Sequence, residues 1–120
     1  MSSQYGLMTL VSAKEANELT LENLEKKYSF FNKNRQLYKD KFVKAITDLI
    51  NESINLSEFS CIMNKERVYD QLGLDPKKSY GVKFYTNLDN LLEEVAQHFK
   101  NERYFVHIED TSIIVKWENV

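Results

Sequence analysis

Apolar residues recur at helical spacing through the first half of the chain and at mixed spacing through the second. Leu21, Leu24, Tyr28 and Phe31, then Tyr38, Phe42, Ala45 and Leu49, follow a seven-residue repeat in which Arg35 takes one seam position. Ile46, Ile50 and Ile54 widen the stripe towards its end. Ahead of it, Ser12-Ala13-Lys14-Glu15 reads as a capping box: the Ser12 hydroxyl can accept from the Glu15 amide while the Glu15 carboxylate reaches back. Glu15 and Glu18 also suit the positive end of the helix macrodipole. A single helix over 13–55 would be about 65 Å long at 1.5 Å per residue, far more than a compact domain of this size spans. Two solutions are expected. Either the helix breaks at Asn32-Lys33-Asn34 and returns as a hairpin, or it projects and packs on another chain. The break is favoured, because Ser29, Asn32 and Asn34 are modest helix formers placed together.

Glycine and proline divide the chain. None occurs between Gly6 and Gly73, after which Gly73, Pro76 and Gly81 fall close together. A strand is expected within Glu58–Met63, then a helix over Lys65–Leu72 capped by Asn64 and stopped at Gly73. Leu74–Lys78 reads as a turn. Gly81–Thr86 alternates, with Val82 and Phe84 on one side and Lys83 and Tyr85 on the other, which predicts a strand. Thr86-Asn87-Leu88-Asp89 is a further capping signal, and Leu88, Leu91, Leu92, Val95, Ala96 and Phe99 make one helical face to about Asn101. Tyr104–Glu109 and Ser112–Glu118 alternate around Asp110-Thr111 and predict a hairpin. In it Tyr104 faces Trp117, Val106 faces Val115 and Ile108 faces Ile113. Asp-Thr is not the Asn-Gly pair a tight type I′ turn prefers. The expected fold is α+β: a long N-terminal helix or helical hairpin, then a small mainly antiparallel sheet with two helices packed on it. One domain over 1–120 is expected, with an N-terminal arm (1–11), a helical half (12–56) and an α+β half (57–120).

Composition narrows the class. The 120 residues are 42% hydrophobic with a net charge of −2, which excludes disorder as the default. Cys61 is the single cysteine, so no internal disulfide is expected. No apolar run approaches the ~20 residues of a membrane helix, and the N-terminus has neither the basic start nor the apolar core of a signal peptide. No membrane association is expected.

Candidate chemistry is sparse. His98, His107 and Cys61 show no metal-ligand spacing, so no metal is expected. A small enzyme would have to join Cys61 to His98 or His107, but a lone cysteine in a strand behaves as a small buried hydrophobe. Three scattered glycines cannot build a phosphate loop. No cofactor and no catalytic residues are expected. Charge is less evenly spread: Lys26, Lys27, Lys33, Arg35, Lys39, Lys41 and Lys44 stand against Asp40 alone between residues 26 and 44. Tyr28, Phe30, Phe31, Tyr38 and Phe42 are interleaved with them. Lys33, Arg35, Lys39 and Lys41 are therefore candidates for phosphate or an acidic partner, with rings available to stack bases. The plainer reading makes the rings a core stripe and the lysines its solvated reverse.

A protein interface has the stronger physical motive. Adjacent positions on a helix diverge by about 100°, so Phe30 and Phe31 cannot share a narrow seam and Phe30 needs cover of its own. Ile114 and Phe105 on the far side of the hairpin need the same. Tyr28, Phe30, Phe31 and Tyr38 are the candidate partner-binding residues, as aromatic anchors suit interface hot spots.

The phrase from Val11 to Asn23, which reads VSAKEANELTLEN, is similar to the opening of a broad set of small bacteriophage proteins. They begin with an SAKEA…LT…N helix, continue through an amphipathic helix and end in a short sheet with an aromatic terminal strand. Glu58-Phe59-Ser60 and Ile113-Ile114-Val115-Lys116-Trp117 are similar too. This chain departs from them in its Lys/aromatic segment and in the insertion around Leu72–Phe84. The resemblance implies a viral source and carries over no functional residues. The leading expectation is a non-enzymatic phage accessory protein that binds a protein, either a host factor or defence system or another virion component. It would act in the host cytoplasm or the virion, with homo-oligomers through the long helices as one form of partner. The runner-up is a module that sequesters a nucleotide signal or nucleic acid through the 26–44 segment.

Overall fold

The structure, a computed structural model, describes residues 10–119; the expected arm lies outside the described residues up to residue 9. Helices α1 (Ala13–Lys27), α2 (Ser29–Lys33) and α3 (Arg35–Asn55) follow one another, then β1 (Ser60–Met63), α4 (Lys65–Leu72), α5 (Val82–Asn101), β2 (Phe105–Glu109) and β3 (Ser112–Lys116). The fold is α+β, as the sequence predicts.

The sheet is antiparallel with strand order β1-β3-β2. Val106 pairs with Val115 and Ile108 with Ile113, and β1 adds Cys61 opposite Val115 and Met63 opposite Ile113. The expected hairpin register is therefore present. Asp110 and Thr111 both take positive φ, 46° and 61°, so Asp-Thr forms the two-residue turn without glycine. The inner face of the sheet is covered by α3, which packs on β1, and by α5, which packs on β2. Phe42, Ile46 and Ile50 of α3 and Leu88, Leu91, Leu92, Val95 and Phe99 of α5 meet Met63, Ile113 and Val115 there. Burying such side chains is worth roughly 1.5–3 kcal/mol each, and this layer is the core.

Helix α4 begins and ends as expected: the Asn64 side chain accepts from the Arg67 amide, and Gly73 closes the helix at φ 71°. Two expectations are corrected. The 81–86 segment is not a strand. Gly81 is the N-cap of α5, and the alternation of Val82 and Phe84 is the first turn of an apolar face that continues at Leu88, Leu91 and Leu92. The second concerns the helical half. It does break at Asn34, and again at Tyr28, but does not reverse into a hairpin. The hinge residues stay near the helical basin, at φ −105°, ψ 15° for Tyr28 and φ −113°, ψ 26° for Asn34. Backbone bonds bridge both hinges: the Tyr28 amide donates to Leu24 O at 3.0 Å and the Asn34 amide to Phe30 O at 2.9 Å. The chain bends at each and keeps going, and the molecule measures 65 × 23 × 20 Å.

Candidate functional site

Helix α1 is well capped and poorly covered. Ser12 accepts from the Glu15 amide at 3.1 Å, realising the cap read from the sequence. Yet none of the fifteen residues of α1 is buried. Its attachment to the body is confined to its last two turns. Leu21 and Leu24 lie over Gly81, where a Cβ would sit 3.4 and 3.5 Å from their methyl groups. Lys83 Nζ donates to Glu25 Oε1 at 3.0 Å. The turns from Ala13 to Thr20 project past this attachment and are exposed.

Between α1–α2 and the start of α5 runs a groove of about 560 Å³. Leu21, Leu24, Tyr28 and Phe31 form one wall, with Tyr80, Val82 and Phe84 opposite. Its floor is an aromatic cluster in edge and tilted contacts: Tyr28 to Tyr80 at 4.8 Å, Tyr80 to Phe84 at 5.0 Å and Phe31 to Phe84 at 5.3 Å between ring centroids. Tyr80 is fixed from behind, since its hydroxyl donates to Asp75 O at 2.8 Å and accepts from the Asp75 amide at 3.0 Å. Both of its polar obligations are met inside the 75–80 loop, so its ring faces the groove without an unsatisfied group. The mouth is apolar as well: Val82 is 72% exposed and Leu21 40%. Glu18, Glu22 and Glu25 edge it along α1, Lys83 meets Glu25 from α5, and Lys33 stands at the end of α2.

The expected partner-binding rings are only partly at the surface. Phe31 is 1% exposed and belongs to the core, which corrects its expected role as a surface anchor. Tyr28, Phe30 and Tyr38 are half-buried and lean on one another, Phe30 lying 6.1 Å from Tyr28 and 6.3 Å from Tyr38. Phe30 thus finds its cover within the chain. The exposed anchors are Leu21 and Val82, which sequence reasoning missed. Val82 was hidden by its assignment to a strand, and Leu21 by its place in a seam expected to be core.

The basic segment does not converge. Arg35 is bound to α5: its Nε donates to Glu94 Oε2 at 3.0 Å, a second nitrogen donates to the same oxygen, and Nη1 donates to Asn87 O at 3.2 Å. It braces α3 against α5. Lys26 and Lys44 pair with Glu22 and Asp48 on their own helices. Lys33, Lys39 and Lys41 make no salt bridge among the described residues. Lys39 and Lys41 are two positions apart on α3, about 200° around it, and Lys41 lies over the Tyr38 ring at 5.6 Å.

Cys61 points to the inner face of the sheet with Val115 and Val106, whereas His107 pairs with Ile114 on the outer face. The two cannot act together. Burial pushes the Cys61 thiol up to about 11, the reverse of what an activated nucleophile needs. His98 stands apart on α5 against Phe99, beside a shallower depression lined by Ile50, Arg103, Tyr104 and Trp117. Among the described residues no group of three His, Cys, Asp or Glu side chains could hold a metal ion, and no helix is long and apolar enough to cross a membrane. The outer face of the sheet carries a second apolar surface, with Phe105, Phe59 and Ile62 each at least half exposed around the half-buried Ile114. No family model, curated protein or solved structure matches the chain.

Proposed function

We propose that this chain is a non-enzymatic binding protein that docks a protein partner in the groove between α1 and the start of α5. One observation carries the reading: a capped fifteen-residue helix buries none of its residues, while its apolar stripe forms one wall of an open aromatic-floored groove. A helix of this length alone in water is marginal, and most helical stability in proteins comes from packing an apolar face. The stripe of α1 is more than its own body covers, so a partner would complete it. Aromatic floors with apolar rims are what interface hot spots are built from.

The bacteriophage assignment is supported by the resemblance of Val11–Asn23 and Ile113–Trp117 to small phage proteins. Within it, inhibition of a host factor or defence system and a place in the virion are separated by mass spectrometry of purified particles. The non-enzymatic reading draws on the raised Cys61 thiol and on its separation from His107 across the sheet. Capture of a nucleotide signal or nucleic acid has less behind it, because Arg35 is committed to Glu94, Lys33 sits on α2 and Lys39 and Lys41 point apart on α3. Such binding would weaken steeply with salt.

A photo-crosslinking residue placed at Leu21 in expressing bacterial cells tests the docking. The expected result is one discrete adduct at Leu21, lost when Val82→Asp is added, and none from the exposed control position Glu52. The absence of an adduct at Leu21, or an identical adduct from Glu52, would contradict groove docking.

A further inference from the structure

We infer that the occupant of this groove is an amphipathic helix of a different protein, carrying basic residues along the flank that meets the first half of α1. The inference rests on the docking reading above and adds the shape and charge of the partner.

Shape comes from the walls. Both are mainly helical, and apart from the Val82, Lys83 and Phe84 amides that open α5 the helical backbone lining them is spent on intrahelical bonds, so the groove offers no strand edge to pair with. An extended peptide laid there would leave its own N–H and C=O groups without partners, whereas a helix satisfies them internally. The lining extends from Glu18 to Lys33, a length of about four helical turns, which suits a helix of about fifteen residues.

Charge comes from the rim. Glu15, Glu18, Glu22 and Glu25 are spaced three, four and three apart, so they form one ridge beside the apolar stripe. Glu22 is paired with Lys26 and Glu25 with Lys83, while Glu15 and Glu18 make no salt bridge among the described residues. Between Ala13 and Glu22 the helix carries Lys14 against three glutamates. The far end is of opposite sign, with Lys33, which makes no salt bridge among the described residues, on the rim. A basic flank on the partner therefore belongs at the end of the groove nearer Glu15 and Glu18.

A second copy of this chain is a poor occupant by the same reasoning. Two α1 helices packed antiparallel about a two-fold axis along Leu21, Leu24 and Tyr28 would set the flank bearing Glu18 and Glu25 against its own equivalent. Like charges facing across an interface select against a partner, so the partner is a different chain.

The test is an NMR titration of the full chain with synthetic fifteen-residue peptides, read at the Leu21, Gly81 and Val82 amides. The first peptide places leucine at helical spacing with lysine on the flanks. The second keeps the leucines and replaces lysine by glutamate. The third has the first one's composition in strand-like alternation. The expected result is saturable shifts at those amides with the first peptide, about tenfold tighter than with the second, and none with the third. The exposed double variant Glu15→Lys/Glu18→Lys should abolish or reverse the preference between the first two. Equal affinity of the lysine and glutamate helices in the groove would overturn the inference while leaving groove docking standing. An absence of groove shifts with either helix would overturn both, as would shifts confined to Ile62, Phe105 and Ile114.

Discussion

Two glycines with positive φ show how differently single residues constrain this chain. Gly73 sits in the ordinary left-handed basin at φ 71°, ψ 30°, and a Cβ there would meet nothing within 4 Å. Gly81 takes φ 88°, ψ 158°, a region reached essentially by glycine alone. Gly73→Asn should leave stability within about 0.5 kcal/mol, since asparagine tolerates the left-handed cap. Gly81→Asn should cost about 1–3 kcal/mol through backbone strain, and urea unfolding of the two variants measures the contrast. Titration supplies another prediction at this scale. Burial pushes the Cys61 thiol from 9.0 to about 11. Burial first, and then repulsion from Tyr85, Tyr80 and Asp89, pushes the Tyr69 hydroxyl from 10.0 to about 12. In each case the fold disfavours the anion, so the stability these groups contribute is fully present below their unfolded values and is lost as pH rises through the folded ones. The urea midpoint should therefore hold to about pH 9 and fall between about pH 9 and 12. Cys61→Ala should remove the earlier part of that fall, and a midpoint independent of pH over this range would contradict it.

Among the elements, those legible in the sequence were the ones whose pattern and punctuation agree. The hairpin was readable because Val106, Ile108, Ile113 and Val115 alternate on one side of the sheet, and α4 because Asn64 and Gly73 bracket it with a cap at each end. The start of α5 differs from the strand its sequence predicts because four residues of apolar–polar alternation look alike in a strand and in the first turn of a helix. What decides it is the conformation of Gly81 and the anchoring of Tyr80 on Asp75, both of them tertiary facts. The break at Asn34 was anticipated from composition. It does not reverse the chain, because Asn34 stays near the helical basin, its amide and its side-chain nitrogen both donating to Phe30 O. Helix α1 is the element whose isolation matters most. Its amides from Ala13 to Thr20 should exchange with deuterium fastest among the helical ones, and those of Leu91–Val95 in α5 slowest. Ser12→Ala removes a cap worth about 1 kcal/mol and should speed exchange in α1 about fivefold. It should leave the global unfolding midpoint unchanged, because α1 adds no buried residue to the core. A midpoint shift equal to the cap's full worth would mean that α1 unfolds with the body.

Over the whole molecule, a core of ordinary construction carries an overhang of unusual length. The layer of α3 and α5 on the inner sheet face accounts for nearly all of the fully buried side chains. The groove and its acidic ridge lie to one side, where α1 runs on past Gly81. Half of the candidate site is legible in the sequence, where Leu21, Leu24 and Tyr28 already stand on one stripe that borders the groove. The other half depended on a wall built from Tyr80, Val82 and Phe84, which lie some fifty residues away in sequence and join the groove only once α5 starts at Gly81. The shape itself is open to direct measurement by small-angle X-ray scattering on the monomer peak of a size-exclusion column. The Cα radius of gyration is 18.8 Å, whereas a compact chain of this length would give about 13.6 Å. A value near 19 Å with a long tail in the distance distribution is expected if α1 projects and leaves its groove open. A value near 14 Å would mean that the helix folds back over the body and covers its own stripe, which would contradict the central claim.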